Sequence, residues 1–111
     1  MEHFVRVYQL YAFYGQLLTV KQRQAVEWYF GQDLSLAEIA DELGTSRQAV
    51  HDLLKRSEQA FLDYEEKLGL ARSYETEQRH LADLEALLRQ LQDKADPRWQ
   101  QVFQLLAEVR K

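Results

Sequence analysis

At 111 residues the chain holds one domain, or one domain and an appendage, and is long enough to bury a core without staples. It has no cysteine, which excludes a disulfide framework and any thiolate metal site, and no apolar run near the ~20 residues that span a bilayer. Its formal charge is −4, whereas free-standing DNA-binding domains are usually basic, so any phosphate-binding cations must be gathered on one face.

Strand-like alternation is absent and only four glycines and one proline occur, which predicts an all-α fold. The start, MEHFVRVYQLYAFYG, lacks the basic region and small-residue cleavage site of a signal peptide, so a cytoplasmic protein with no membrane association is expected. The first predicted helix covers residues 3–18. Phe4, Val7, Tyr8, Leu10, Tyr11, Phe13, Tyr14, Leu17 and Leu18 occupy more than one of its faces. Substantial burial follows, within the monomer or against a partner. A base-stacking role fits these aromatics poorly, because Arg6 is the only cation among them.

Thr19 and Gln22 have the spacing of a capping box, so a second helix should begin near Val20 and stop at Gly31. Lys21 and Arg23 lie in its first turn. They are either a solvated helix start or a phosphate contact beside exposed helix amides.

Residues 35–56, SLAEIADELGTSRQAVHDLLKR, organise the rest. Ser35 and Glu38 form another capping box, and Leu36, Ile39, Ala40 and Leu43 recur on one helical face. Gly44 can take the left-handed conformation that a sharp turn needs. Ser46 caps the next helix, whose apolar stripe is read as Ala49, Val50, Leu53 and Leu54. This is the pattern of a helix-turn-helix, whose second helix can enter a DNA major groove. The outward positions on that helix are Arg47, Gln48, His51, Asp52 and Lys55, with Arg56 nearby. Arg47 and Lys55 suit guanine edges or phosphates, Gln48 an adenine edge, and His51 either a phosphate or a base. Asp52 would be repelled by phosphate unless it accepts from cytosine or pairs with Lys55 or Arg56. The helix should continue through Ala60, Phe61, Tyr64 and Leu68 to a stop at Gly69. Glu58, Asp63, Glu65 and Glu66 make its far end acidic, and that end should point away from a phosphate backbone.

A polar helix over residues 73–93 carries a seam of Leu81, Leu84, Leu88 and Leu91, which Tyr74 extends and Leu87 widens. Asp96 and Pro97 mark a further helix start, and Trp99, Val102, Phe103, Leu106 and Val109 share one face beyond it. That face needs a cover, from the leucine seam of the same chain or from a second chain, and a homodimer is expected. Residues 1–70 are thus predicted as a helix-turn-helix domain and 71–111 as a C-terminal helical extension serving dimerisation.

No catalytic constellation is present. His3, His51 and His80 are not at ligand spacing, and His80 beside Glu77 and Asp83 reads as ordinary surface charge. No phosphate-cradling glycine loop or nucleophile elbow occurs. Neither enzymatic activity nor a cofactor or metal is expected.

The stretch LLTVKQRQAVEWYFGQDLSLAEIADELGTSRQAVHDLLKRSEQ resembles the promoter-reading region four of bacterial sigma factors. The shared elements are the Leu-Thr-x-x-Gln start, the Ser-Leu-x-Glu-Ile-Ala helix, the Leu-Gly-x-Ser turn and the Lys-Arg end. Over residues 7–74, with the aromatic LYAFYGQLLTVKQ and the trailing LDYEEKLGL, the chain is more closely similar to the YlxM family of small bacterial helix-turn-helix proteins. The resemblance implies a sigma-region-four-like bundle; the segment after Tyr74 matches no pattern of the family, and the C-terminal hairpin expected there rests on its leucine seam and the Trp99 helix alone. The resemblance also implies that the groove-facing residues are those just after Ser46: Arg47, Gln48, His51, Asp52 and Lys55. His51–Asp52 departs from the more basic pair that DNA contact would favour. Genes of the family neighbour those of the signal recognition particle's GTPases. The resemblance therefore implies a DNA-binding regulator or, alternatively, an accessory that docks onto a protein or RNA component of that particle.

Overall fold

The computed structural model describes residues 2–92 and 95–110. Among these residues there are six α-helices and no strand. The chain divides into two compact units, Met1–Ala71 and Arg72–Lys111.

In the first unit, α1 spans Glu2–Tyr14 and gives way to a single 3₁₀ turn, Gly15–Leu17. The helix is therefore shorter than the apolar run that predicts it. Its burial is also one-sided. Val7, Leu10, Tyr14 and the following Leu18 enter the core, while Phe4, Val5 and Tyr8 remain exposed. The outer aromatics satisfy one another instead: Tyr8 stacks on Tyr11 with ring centroids 5.6 Å apart, and Phe4 on Tyr29 at 5.4 Å.

Helix α2, Val20–Val26, begins with the expected capping box, Thr19 Oγ1 accepting from the Gln22 amide and Gln22 Oε1 from the Thr19 amide. It does not run unchanged to Gly31. From Glu27 to Gly31 the backbone widens into one π-helical turn, which closes with Gln32 N–H donating to the Glu27 carbonyl and Leu34 N–H to the Trp28 carbonyl.

Helix α3, Leu36–Leu43, is held at its start by the reciprocal Ser35–Glu38 box and buries Ile39 and Ala40. Gly44 follows at φ 66°, ψ 40°, in the left-handed region, and Thr45 N–H returns to the Ala40 carbonyl. Helix α4, Arg47–Leu68, starts with Ser46 Oγ accepting from the Ala49 amide. Its buried line is Val50, Leu54, Ser57, Phe61 and Glu65. Ala49, expected in the stripe, is exposed, because it lies about 100° around the helix from Val50.

Glu65 is a second correction. It belongs to the core and not to a solvated acidic face, being 6% exposed. Tyr14 Oη donates to Glu65 Oε1 at 2.6 Å, and the Ala71 amide donates to the same oxygen at 3.0 Å. The Leu70 amide donates to Tyr14 Oη at 3.1 Å. Gly69, at φ 60°, turns the chain after α4, and α5, Leu70–Leu91, begins at once. The helix starts three residues earlier than the sequence suggests because α1 and α4 supply acceptors for its first amides, which otherwise have no partner within the helix.

In the second unit, the remainder of α5 is accompanied by α6, Arg98–Val109. The helix starts one residue later than expected, with Pro97 in the cap position at φ −66° instead of the first helical position; Asp96 precedes it, accepts the Arg98 amide at 2.9 Å and also holds the Arg98 guanidinium. The expected end of the preceding helix at Asp93 lies outside the described residues. Arg110 pairs with Glu85, the Arg89 guanidinium lies 4.2 Å from the Phe103 ring centre, and Leu106 is buried. Helix α6 thus packs against α5 of its own chain. Leu84, Leu87, Leu91, Leu105 and Val109 stay exposed.

Candidate nucleic-acid interface

The two helices α3 and α4, with the turn at Gly44 between them, form the helix-turn-helix. Local capping fixes its geometry. Glu38 spends its carboxylate on the Ser35 amide and hydroxyl, which hold it below the usual carboxylate range. Ser46 commits its hydroxyl to the Ala49 amide, so its role is to set where α4 begins.

Ser46, Arg47, Gln48 and His51 come together, with Leu36 of α3, around one shallow open depression. Asp52 joins them through its neighbours. Gln48 Nε2 donates to Asp52 Oδ1 at 3.0 Å, and His51 Nδ1 lies 3.5 Å from the same oxygen. Of the alternatives open to Asp52, pairing with Lys55 or Arg56 does not form among the described residues; Gln48, one turn before it on the same face, is its partner. Arg47, Lys55 and Arg56 are exposed and pair with no carboxylate among the described residues. Lys55 shares a second depression with His51. The N-terminal half of α4 therefore presents three unpaired cations and one amide–carboxylate pair to solvent.

Lys21 and Arg23 are exposed on α2 and line neither depression. Arg23 lies close enough to Tyr11 for its charge to act on the phenol. Burial, then Glu27, outweighs it, so that phenol is raised above its ordinary value. Tyr8 is raised too, first by its hydrogen bond to Glu27.

Two residues were missed by reasoning from sequence alone. Leu36, assigned to the core stripe, is half-buried and borders the site. Glu58, grouped with the acidic run, is instead paired within the fold, its Oε1 lying 3.1 Å from His3 Nε2. No local spacing connects His3 to Glu58, 55 residues apart, so only the tertiary fold could reveal the pair.

Among the described residues no group of three or more His, Cys, Asp or Glu is placed to hold a metal, and no helix is long and apolar enough to cross a membrane.

Residues 1–103 match the family model described as "Putative helix-turn-helix protein, YlxM / p13 like". A UPF0122 protein of Desulforamulus reducens is 47% identical over 79% of this chain and 75% of its own length. One from Symbiobacterium thermophilum is 44% identical over 86% of each chain. One from Listeria innocua is 46% identical over 75% of this chain and 76% of its own.

Proposed function

Because the chain belongs to the UPF0122 family of YlxM / p13-like helix-turn-helix proteins, we propose that it is a cytoplasmic regulatory protein that binds duplex DNA by inserting the N-terminal half of α4 into the major groove. The observation that carries this is the exposed, unpaired set of Arg47, Lys55 and Arg56 next to Gln48 and His51, on the first turns of a helix whose start is pinned by Ser46. Arg47 supplies a bidentate guanine contact, and Gln48 and His51 supply base or phosphate contacts. Asp52 orients Gln48 and His51 and is screened by them. Lys55, Arg56, Lys21 and Arg23 serve as phosphate contacts. The acidic residues Asp63 and Glu66, further along α4, are kept off the backbone. Two copies joined through the second unit would present two reading helices to a two-fold operator.

The test is a fluorescence-anisotropy titration of duplex DNA from upstream of the protein's own operon, against random duplex, at low and physiological salt. Operon duplex should bind more tightly than random duplex, with strong salt dependence. Arg47→Ala should weaken the specific complex by about 1–3 kcal/mol. Equal binding by wild type and variant would remove Arg47 from the reading surface.

A second function is favoured by the −4 charge and the exposed Leu84, Leu87 and Leu91. In it the helix-turn-helix is a scaffold, and the protein is an accessory docking onto a signal recognition particle component. An acidic surface favours a basic protein partner over bare RNA. The same titration with the particle's RNA, with and without its protein subunit, separates the two. Binding only to the assembled particle, with no duplex preference, would replace the regulator with the accessory.

A further inference from the structure

Beside the reading surface, the first unit holds a depression of about 300 Å³, at the lower end of the size range of small-molecule sites. Its aromatic lining is Phe4, Tyr29 and Phe30. Phe4 stacks on Tyr29, and its ring centre lies 5.0 Å from that of Phe30. Leu36 and Leu54 complete the apolar part. Along α4, His51, Lys55 and Glu58 follow one another at intervals of four and three residues, so they form one polar edge. His3 Nε2 holds Glu58 Oε1, and the second carboxylate oxygen has no partner among the described residues.

Each part matches one part of a nucleotide. Flat π faces in an apolar recess suit a base that has left its stack. A carboxylate accepts only, so it selects bases that offer N–H groups. Guanine, with adjacent N1–H and N2–H₂ donors, fits best, one donor meeting the free oxygen and the other the remaining lone pair of the oxygen that His3 holds. Uracil and thymine place carbonyls on either side of their single N–H, and these repel the carboxylate. Lys55 and His51 lie on the same edge to receive the phosphate. His51 and Leu36 also border the depression formed with Arg47 and Gln48, so the two recesses adjoin.

We infer that this pocket binds a single unstacked nucleotide, with the base against Phe4, Tyr29 and Phe30, its donor edge on Glu58 and its phosphate on Lys55. The nucleotide is either free or part of a single strand. Nothing in this assignment depends on duplex binding.

The ¹⁵N-labelled full-length chain is titrated to millimolar concentration with guanosine monophosphate, uridine monophosphate and ribose 5-phosphate, and with guanine and uracil pentanucleotides. Guanosine monophosphate should shift the amide signals of Tyr29, Phe30, Lys55 and Glu58, and bind more tightly than uridine monophosphate. Glu58→Gln keeps the side-chain shape and removes the charge. Loss of a charge-assisted hydrogen bond should lower guanosine monophosphate affinity by about 10-fold and erase the preference over uridine. A guanine pentanucleotide that binds much more tightly than the monomer identifies a strand as the source, and equal affinities identify free nucleotide. Three outcomes overturn the inference: no shifts with any nucleotide, the same shifts with ribose 5-phosphate, or unchanged base preference in Glu58→Gln. Arg47→Ala, outside the pocket, should leave the monophosphate shifts intact, so failure of duplex binding and failure of this site are read separately.

Discussion

Tyr14 is fully buried, yet its hydroxyl serves three segments of chain at once. It donates to Glu65 on α4 and accepts from Leu70 at the start of α5. Tyr14→Phe removes both bonds and leaves a buried carboxylate one donor short. The variant should lose about 1–3 kcal/mol of stability, measured by urea unfolding at neutral pH. Burial, and then the hydrogen bond to Glu65, push the Tyr14 phenol above its ordinary value of 10.0. A raised pKa means that the native state holds the proton more tightly than the unfolded state does. This contribution is complete below the unfolded value and is lost as pH rises from there through the folded value. Wild-type stability should therefore fall more steeply above pH 10 than that of Tyr14→Phe. Parallel slopes would remove Tyr14 as the titrating group. The sequence shows Tyr14 as an apolar-face residue and Glu65 as one of four acidic residues. It holds no signal for their meeting, because the two positions are 51 apart and the bond depends on how α1 crosses α4.

The helices themselves were legible wherever a local device ends them. Ser35, Gly44, Ser46 and Gly69 all act as their chemistry dictates, since a cap or a left-handed turn needs only a few neighbouring residues. The π turn after α2 was not legible. A run of Trp28, Tyr29 and Phe30 fits either backbone, and the choice is made by what the rings pack against. The true start of α5 was hidden for the same reason, its caps being Tyr14 and Glu65. Gly44 tests the local half of this account. An added Cβ there would meet nothing within 4 Å, so Gly44→Ala costs backbone strain alone. It should destabilise the protein by about 1–2 kcal/mol in thermal or urea unfolding. Gly44→Asn should cost less, because asparagine tolerates the left-handed region better. A neutral Gly44→Ala would mean the turn relaxes into a right-handed conformation and that its geometry does not set the angle between α3 and α4.

The chain as a whole carries −4, while the cations proposed to contact nucleic acid number three on α4 and two on α2. Each phosphate neutralised contributes a slope of about −0.9 in log K against log salt on duplex DNA. A single copy therefore has few contacts to give, and an acidic remainder opposes them. Pairing two copies answers this by joining two weak half-sites, which raises affinity by about 10²–10⁴ without a new DNA contact. The second unit offers a surface for such pairing. Leu87 and Leu91, one turn apart on α5, are 56% and 73% exposed, although α6 already packs on α5 through Leu106 and the Glu85–Arg110 pair. We propose that a second copy covers this face. The double variant Leu87→Glu, Leu91→Glu places charge there without touching the core of the first unit. Sedimentation equilibrium at tens of micromolar should give a dimer for wild type and a monomer for the variant. Duplex affinity should fall by about 10²-fold or more in the variant, with the salt slope roughly halved. A wild-type monomer at that concentration would remove the dimer. A dimer that survives the double substitution would move the interface elsewhere on the chain.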